Sequence, residues 1–139
     1  MASIHLKIIT PRKIVIDEEA TSVTVPTTEG EISILPRHVH LLTLLTEGII
    51  TIKKNASEDS LAIGGGYLET NGKELKILVS RAYHQDEIDE EQTKRAIEEA
   101  KKIISEGRDE SARHEAASII RRSLVDMKLL KKKRRHTSL

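Results

Sequence analysis

Hydrophobic periodicity changes once along this chain, near Asp86, and this change limits the possible folds more than any other feature. Before it, apolar residues alternate with polar ones in short runs, as Ile4, Leu6 and Ile8 do, which is typical of half-buried strands. After it, apolar residues recur at spacings of three and four, which is typical of amphipathic helices. The sequence therefore predicts an α+β fold, with an N-terminal antiparallel β-sandwich over residues 1–85 and a C-terminal helix-turn-helix hairpin over residues 86–139.

Turn signals divide the first part of the chain into short strands. The predicted strands cover residues 3–10, 13–16, 22–25, 32–34, 49–53, 61–63, 67–70 and 75–79. The acidic run at residues 17–19 is predicted to be the turn after the second of them. Asn71-Gly72 predicts a type I′ hairpin turn, which requires positive φ at both central residues. Residues 64–66 are three glycines without the Lys-Ser/Thr of a phosphate-binding loop, so they predict a bulge or a close backbone approach.

Local capping signals set the limits of the two predicted helices. Asp89 is a good N-cap with Gln92 three residues later, Gly107 ends the first helix, and Asp109 can cap the second. The facing stripes consist mostly of alanine and isoleucine, and isolated helices of this length are marginal in water. Net charge is −5 over residues 86–110 and +7 from there to the end of the chain. We therefore expect a hairpin that can open or detach, a candidate two-state element.

A basic bend interrupts the most apolar part of the chain. Pro36 ends a predicted strand because it has no N–H to donate, and Arg37, His38 and His40 follow it before a leucine-rich block. We name residues 36–42 the corner. Two histidines at this spacing without a third ligand do not predict a metal site. An exposed loop on a rigid core is instead typical of a contact surface.

Composition excludes several classes of function. The chain has no cysteine, and Tyr67 and Tyr83 are its only aromatic residues, so it has neither thiolate chemistry nor base-stacking platforms. No apolar run approaches the roughly 20 residues of a membrane-spanning helix. No arrangement of side chains predicts catalysis or a metal site. The basic run at residues 131–135 leaves two interpretations open, a solvated helix end or a surface for nucleic acid, anionic lipid or an acidic protein.

Three motifs match a known family. They are Gly-Glu-Ile-Ser-Ile-Leu-Pro-Arg-His at residues 30–38, Leu-Leu at 41–42 and Gly-Gly-Tyr-Leu-Glu at 65–69. With the β-domain and helical hairpin, this pattern resembles the epsilon subunit of F-type ATP synthases over residues 4 to about 130. The family usually has glycine where this chain has Ser33 and Arg37, and commonly proline where it has His40. We therefore expect a corner that is less kinked and more basic than usual.

The resemblance implies a non-catalytic rotor subunit of the central stalk that couples proton translocation to ATP synthesis. The implied partners are the gamma subunit and the c-ring, and the alpha and beta subunits when the hairpin is extended. The extended hairpin would inhibit ATP hydrolysis. The implied location is peripheral, through the complex only, at the cytoplasmic face of a bacterial cell membrane rather than the thylakoid stromal face. The alternative is a small nucleic-acid-binding module that uses the basic C-terminal helix, although no nucleic-acid partner is expected.

The resemblance also implies contact residues. Those matching the surface for the c-ring and gamma are Glu31, Pro36, Arg37, His38, Val39, His40, Leu41 and Leu42. Those that would face acidic segments of the beta subunit are Arg113, Arg121, Arg122 and Lys128.

A nucleotide site on the hairpin is the last implied feature. Some family members bind ATP through Ile-Asp-x-x-Arg-Ala, but here Ile88-Asp89 is followed by Gln92 and Thr93 at the Arg-Ala positions. Arg121 and Arg122 could substitute only in part. We therefore expect no cofactor, and ATP binding that is weak or absent.

Overall fold

The computed structural model describes residues 2–37, 40–107 and 109–137, with side chains described as far as Lys132. The chain divides into two compact units, residues 1–84 and residues 85–139. The described part of the first unit consists of strands, and that of the second is helical. The predicted α+β class is confirmed. No helix of the described residues is long and apolar enough to cross a membrane.

The described residues of the first unit form one hydrogen-bonded sheet around one core. Its strands are β1 (Ile4–Ile9), β2 (Ile14–Ala20), β3 (Ser22–Thr27), β4 (Gly30–Ile34), β5 (Leu41–Leu45), β6 (Gly48–Lys53), β7 (Glu58–Ile63), β8 (Gly66–Thr70), β9 (Glu74–Val79) and β10 (Ala82–His84). The order is β10-β7-β6-β3-β5-β8-β9-β1-β2, with β4 paired to β3. The pair β1–β9 is parallel, so the sandwich is not wholly antiparallel as predicted. Parallel neighbours need a long crossover, which the seven intervening strands supply.

The core is built from isoleucine, leucine and valine without an aromatic residue. Fully buried examples are Ile4, Leu6 and Ile8, whose alternation along β1 places them on one face of the strand. Every member of the buried cluster falls between residues 4 and 79. The first unit therefore carries its own hydrophobic core.

The acidic run at residues 17–19 is not a turn, and that prediction is wrong. Strand β2 continues through it to Ala20. The run can stay in a strand because Asp17 and Glu19 share the exposed face, while Ile16 and Ala20 point into the core. Both exposed carboxylates contact His5 on β1, and this contact is not encoded locally.

The turn between β8 and β9 also differs from its prediction. Gly72 has φ of 91°, but among the described non-glycine residues only Arg37 has positive φ, so Asn71 does not and the turn is not type I′. The Asn71 side chain instead accepts hydrogen bonds from the N–H groups of Lys73 and Glu74, at 2.9 and 2.8 Å. Asparagine therefore closes this turn through its side chain.

The second unit contains a 3₁₀ turn (Gln85–Glu87) and the helices α1 (Glu90–Ser105) and α2 (Glu110–Thr137). The predicted caps are confirmed. The Asp89 carboxylate accepts from the Gln92 N–H at 3.0 Å, and Asp109 accepts from the Ala112 N–H at 2.7 Å. Gly107 follows α1 with φ of 65°, the left-handed conformation that ends many helices.

Most of the buried side chains of α1 and α2 are small. The buried residues of the two helices, among those described, are Thr93, Ala100, Ala116, Ser123 and Leu129. Spacings of three, four and seven predict a stripe on α2 of Ala112, Ala116, Ile119, Ile120, Met127 and Leu130, of which Ala116 is buried and Ile119 is exposed. The prediction omitted Ser123 and Leu129, since a serine carries no apolar signal and Leu129 does not fall at those spacings.

Candidate functional site

The corner keeps a sharp backbone bend at Arg37. Its φ is 66°, in the left-handed region that glycine adopts without a steric penalty. The Arg37 N–H donates to the Gly72 carbonyl at 3.0 Å, which ties the corner to the β8–β9 turn. Arg37 therefore forms a bend that glycine would form without strain, and the comparison of the whole corner with other family members stays a prediction.

Replacing Arg37 with glycine is expected to raise the free energy of unfolding by about 0.5–1 kcal/mol. The left-handed conformation costs a side-chain-bearing residue about 1–2 kcal/mol, and part of this gain is offset by the extra freedom of glycine in the unfolded chain. Urea unfolding measures the difference. Arg37→Ala is the matched control, since it removes the guanidinium but keeps Cβ. An equal gain in Arg37→Ala would show that the side chain, not the backbone, causes it.

The other residues predicted to contact the c-ring or gamma are mostly open to solvent. Glu31 is exposed near the start of β4, opposite Pro26 on β3, and His40 is exposed just before β5. Pro36 is half-buried. The predictions for His38 and Val39 lie outside the described residues. No group of three His, Asp or Glu side chains in the described part of the chain could hold a metal ion.

Strand β5 presents an apolar surface next to the corner. Leu42 and Leu44 are 70% and 68% exposed, whereas Leu41 packs against the core. Tyr67 on β8 lies directly opposite Leu44 and is also exposed. We name Leu42, Leu44 and Tyr67 the apolar face. With Thr28 and Thr43 they line an open groove, and contiguous exposed apolar side chains of this kind are typical of interaction sites.

A glycine fixes the strand that carries Tyr67. A Cβ atom added to Gly66 would lie 2.7 Å from the Cα of Val79 and would also strike the Leu78 carbonyl. Gly66 pairs with Leu45 on one side and Val79 on the other. The predicted close backbone approach is confirmed, and it holds β8 tightly between β5 and β9.

The predicted basic residues of α2 are all exposed but do not share one face. At about 100° per residue, Arg113, Arg121 and Lys128 fall within roughly 80° of one another around the helix. Arg122 falls about 180° from Arg113. Helix α2 therefore places three of these cations on one side, and Arg122 points away from that side.

The predicted nucleotide positions have structural roles at the start of α1. The Asp89 carboxylate caps the helix, as described above. The Thr93 side chain is buried and its hydroxyl donates to the Asp89 carbonyl at 2.8 Å. This local arrangement leaves Gln92 as the exposed side chain where the family motif has arginine.

Comparison with known proteins gives the family. The β-sandwich domain of the ATP synthase delta/epsilon chain, as a family model, matches residues 3–85. The chain belongs to the ATP synthase epsilon chain family. The resemblance inferred from the motifs is confirmed, and an epsilon chain is a non-catalytic subunit of the central stalk.

Similar epsilon chains align over nearly the whole length. That of Moorella thermoacetica is 38% identical over 132 residues, which cover 92% of this chain and 96% of the relative. That of Herpetosiphon aurantiacus is 34% identical over 131 residues, covering 94% and 96%. Among solved structures, a chain of the Euglena gracilis mitochondrial ATP synthase, OSCP/F1/c-ring, matches with a TM-score of 0.79 and 26% identity, covering 96% of this chain and 82% of that one. The Tetrahymena thermophila mitochondrial ATP synthase central stalk and c-ring, at a TM-score of 0.61 and 17% identity over 90% of this chain and 94% of that one, shows the fold alone.

Sequence reasoning missed two members of the apolar face of this epsilon chain, Leu44 and Tyr67. A signal for Leu44 was present, because Leu42 and Leu44 have the same parity along β5 and must share a face if either is exposed. Tyr67 carried no such signal, since its position opposite Leu44 depends on the register of β5 with β8.

Proposed function

We propose that the sandwich transmits torque in the central stalk by binding the gamma subunit through the apolar face and the c-ring through the corner. The observation that carries this proposal is the exposure of Leu42 and Leu44 in a unit whose other leucines are, with the exception of Leu35, largely buried or half-buried among the described residues. An apolar centre with a polar rim is the usual anatomy of a protein interface. Glu31, Arg37 and His40 supply polar groups suited to the loops of the c-ring.

In this role the subunit couples proton translocation to ATP synthesis. Rotation of the c-ring passes through the corner to the sandwich and from the apolar face to gamma. The subunit reaches the membrane only through the complex, at the cytoplasmic face of a bacterial cell membrane. The similar chain of the Euglena gracilis mitochondrial ATP synthase, OSCP/F1/c-ring, supports a place beside the c-ring.

The hairpin has a regulatory role in this proposal. Folded, its buried side chains among the described residues are mostly small, such as Ala100 and Ala116, with Leu129 the one large apolar side chain, so they provide limited apolar area to hold α1 and α2 together. Extended along gamma, it contacts the alpha and beta subunits and inhibits ATP hydrolysis, with Arg113, Arg121 and Lys128 as the main contacts to acidic segments of beta and Arg122 on another side. The hairpin needs no cofactor for this. ATP binding is weak or absent, because Asp89 is engaged as a cap and Gln92 brings no positive charge to phosphate.

Cysteine cross-linking in the assembled complex tests the placement of Glu31, which belongs with the corner to the predicted c-ring surface. The chain has no cysteine of its own, so Glu31→Cys introduces a unique thiol. We expect it to cross-link to a cysteine placed in the polar loop of the c subunit. Glu58→Cys on β7 is the matched control, exposed like Glu31 but at the other end of the β3–β6–β7 ladder.

Two results would contradict the proposal. Equal cross-linking from both positions would mean that position 31 has no special proximity to the c-ring. Cross-linking from position 58 alone would mean that the sandwich has the opposite orientation, with the β7 end toward the c-ring. If the chain instead fails to enter the complex and binds oligonucleotides in a salt-sensitive way, the nucleic-acid alternative gains support.

A further inference from the structure

A histidine between two carboxylates joins β1 to β2. The Nε2 atom of His5 lies 2.6 Å from Asp17 Oδ1, and its Nδ1 atom lies 2.9 Å from Glu19 Oε1. Ser3 Oγ donates to the other oxygen of Glu19 at 2.7 Å. All four side chains are on β1, β2 or the residues just before β1, and β2 is the last strand in the sheet order.

This geometry requires a protonated ring. A neutral imidazole has one N–H donor and one lone-pair acceptor, whereas an ionised carboxylate only accepts. With a carboxylate oxygen within hydrogen-bond distance of each ring nitrogen, a neutral His5 satisfies one carboxylate and sets its lone pair against the other. Only the imidazolium donates to both.

We propose that His5 is a proton-dependent clamp that holds the edge strand β2 to β1. When protonated, the ring bridges Asp17 and Glu19, which lie two residues apart on the same face of β2. When the ring loses its proton, one bridge becomes a repulsive contact, while the backbone hydrogen bonds to β1 and the buried side chains Ile16 and Ala20 still hold β2. An edge strand depends on such contacts because it has a neighbour on one side only.

Three other charged residues lie close to the clamp. On β1, Lys7 shares the face of His5 and lies opposite Asp17 in the register. On β9, which flanks β1 on its other side, Glu74 and Lys76 lie at the register positions of His5 and Lys7. Of these three neighbours of the clamp, one is acidic and two are basic.

The direction of the pH dependence follows from both partners. Hydrogen bonding to Glu19, and then to Asp17, raises the pKa of His5 above its ordinary value of 6.5. The stabilisation from His5 is therefore complete below pH 6.5 and is lost as pH rises through the raised pKa. Hydrogen bonds from Ser3, and then from His5, lower the pKa of Glu19 below 4.5, so its contribution is present above that pH and is lost on further acidification. The clamp is closed between these two transitions.

Nuclear magnetic resonance on the full chain tests the clamp directly. Titration of the imidazole nitrogens, assigned by comparison with His5→Gln, is expected to give His5 a pKa above 6.5 that falls in Glu19→Gln. Hydrogen-exchange protection of the β2 amides, corrected for intrinsic rates, is expected to fall about 1.5- to 5-fold when His5 deprotonates, the range for one exposed ion pair. In His5→Gln this pH dependence disappears.

His84→Gln is the matched control. His84 lies on β10 at the opposite end of the sheet order, with Nδ1 3.6 Å from Asp59 Oδ2. Its replacement is expected to leave the pH dependence of β2 unchanged. The proposal is overturned if His5 titrates at or below 6.5, or if β2 protection varies with pH equally in the wild-type chain and His5→Gln.

Discussion

Ending the chain after Gln85 is expected to raise ATP hydrolysis by the assembled enzyme about fivefold or more, while ATP synthesis continues. The expected size follows from the usual range of coupling free energies between a regulatory element and a functional state. Folding of the remaining sandwich should not be impaired, since every member of the buried core cluster falls between residues 4 and 79. Steady-state hydrolysis and proton-driven synthesis, measured on the same reconstituted complexes, give both quantities.

Point substitutions on the intact hairpin test whether inhibition depends on particular side-chain contacts or only on the presence of the hairpin. Arg121→Gln, on the face shared with Arg113 and Lys128, is expected to release part of the inhibition. Arg122→Gln removes an adjacent arginine of the same charge and length about 100° away around the helix, and serves as the matched control. Hydrolysis that is unchanged by truncation would make the hairpin a passive element. Loss of assembly on truncation would contradict docking by the sandwich alone.

Local chemistry explains which parts of the fold could be predicted. The limits of α1 and α2 follow from Asp89, Gly107 and Asp109, each of which acts on the backbone within three residues of itself. The strands of the core follow from alternation, which needs only the strand itself. Neither property depends on where the rest of the chain lies.

Most of the failures involve contacts between distant residues, the exception being the turn that Asn71 closes locally through its side chain. Asp17 and Glu19 stay in a strand because their partner is His5, which lies twelve and fourteen residues away. The parallel pairing of β1 with β9 joins the start of the first unit to its last third. The backbone bend at Arg37 is held by a hydrogen bond to the Gly72 carbonyl. Positive φ strains a residue that carries a side chain, so a rule that assigns such a bend to glycine alone misses this one.

The candidate site shows the same division. The corner was predictable because Pro36 and the charged residues after it interrupt an apolar run. The apolar face was predictable only in part, since Leu-Leu-Thr-Leu-Leu has leucine at both parities and alternation does not say which parity faces the core. The fold decides this by burying Leu45 beside Gly66, which leaves Leu42 and Leu44 outside.

Substitution of Leu44 by aspartate is expected to weaken binding of the chain to the gamma subunit about 30-fold or more, the usual loss at an interface hot spot. The new carboxylate would be buried without a partner at the centre of the apolar face. The free chain should keep its stability, because Leu44 is 68% exposed and surface changes of this kind usually alter it little. Calorimetric titration of gamma, or of an F1 sector lacking epsilon, with each variant measures the affinity.

Ile14→Asp is the control for the cost of placing an acid on any exposed apolar position. Ile14 is 54% exposed at the start of β2, on a different strand from the apolar face. The Ile14→Asp chain is expected to bind gamma as the wild-type chain does.

A double-mutant cycle tests whether the two side chains act together. Because Leu44 lies directly opposite Tyr67, the effects of Leu44→Ala and Tyr67→Ala on binding should be non-additive by about 0.5 kcal/mol or more. Wild-type affinity in Leu44→Asp, or an equal loss in Ile14→Asp, would remove gamma from the apolar face.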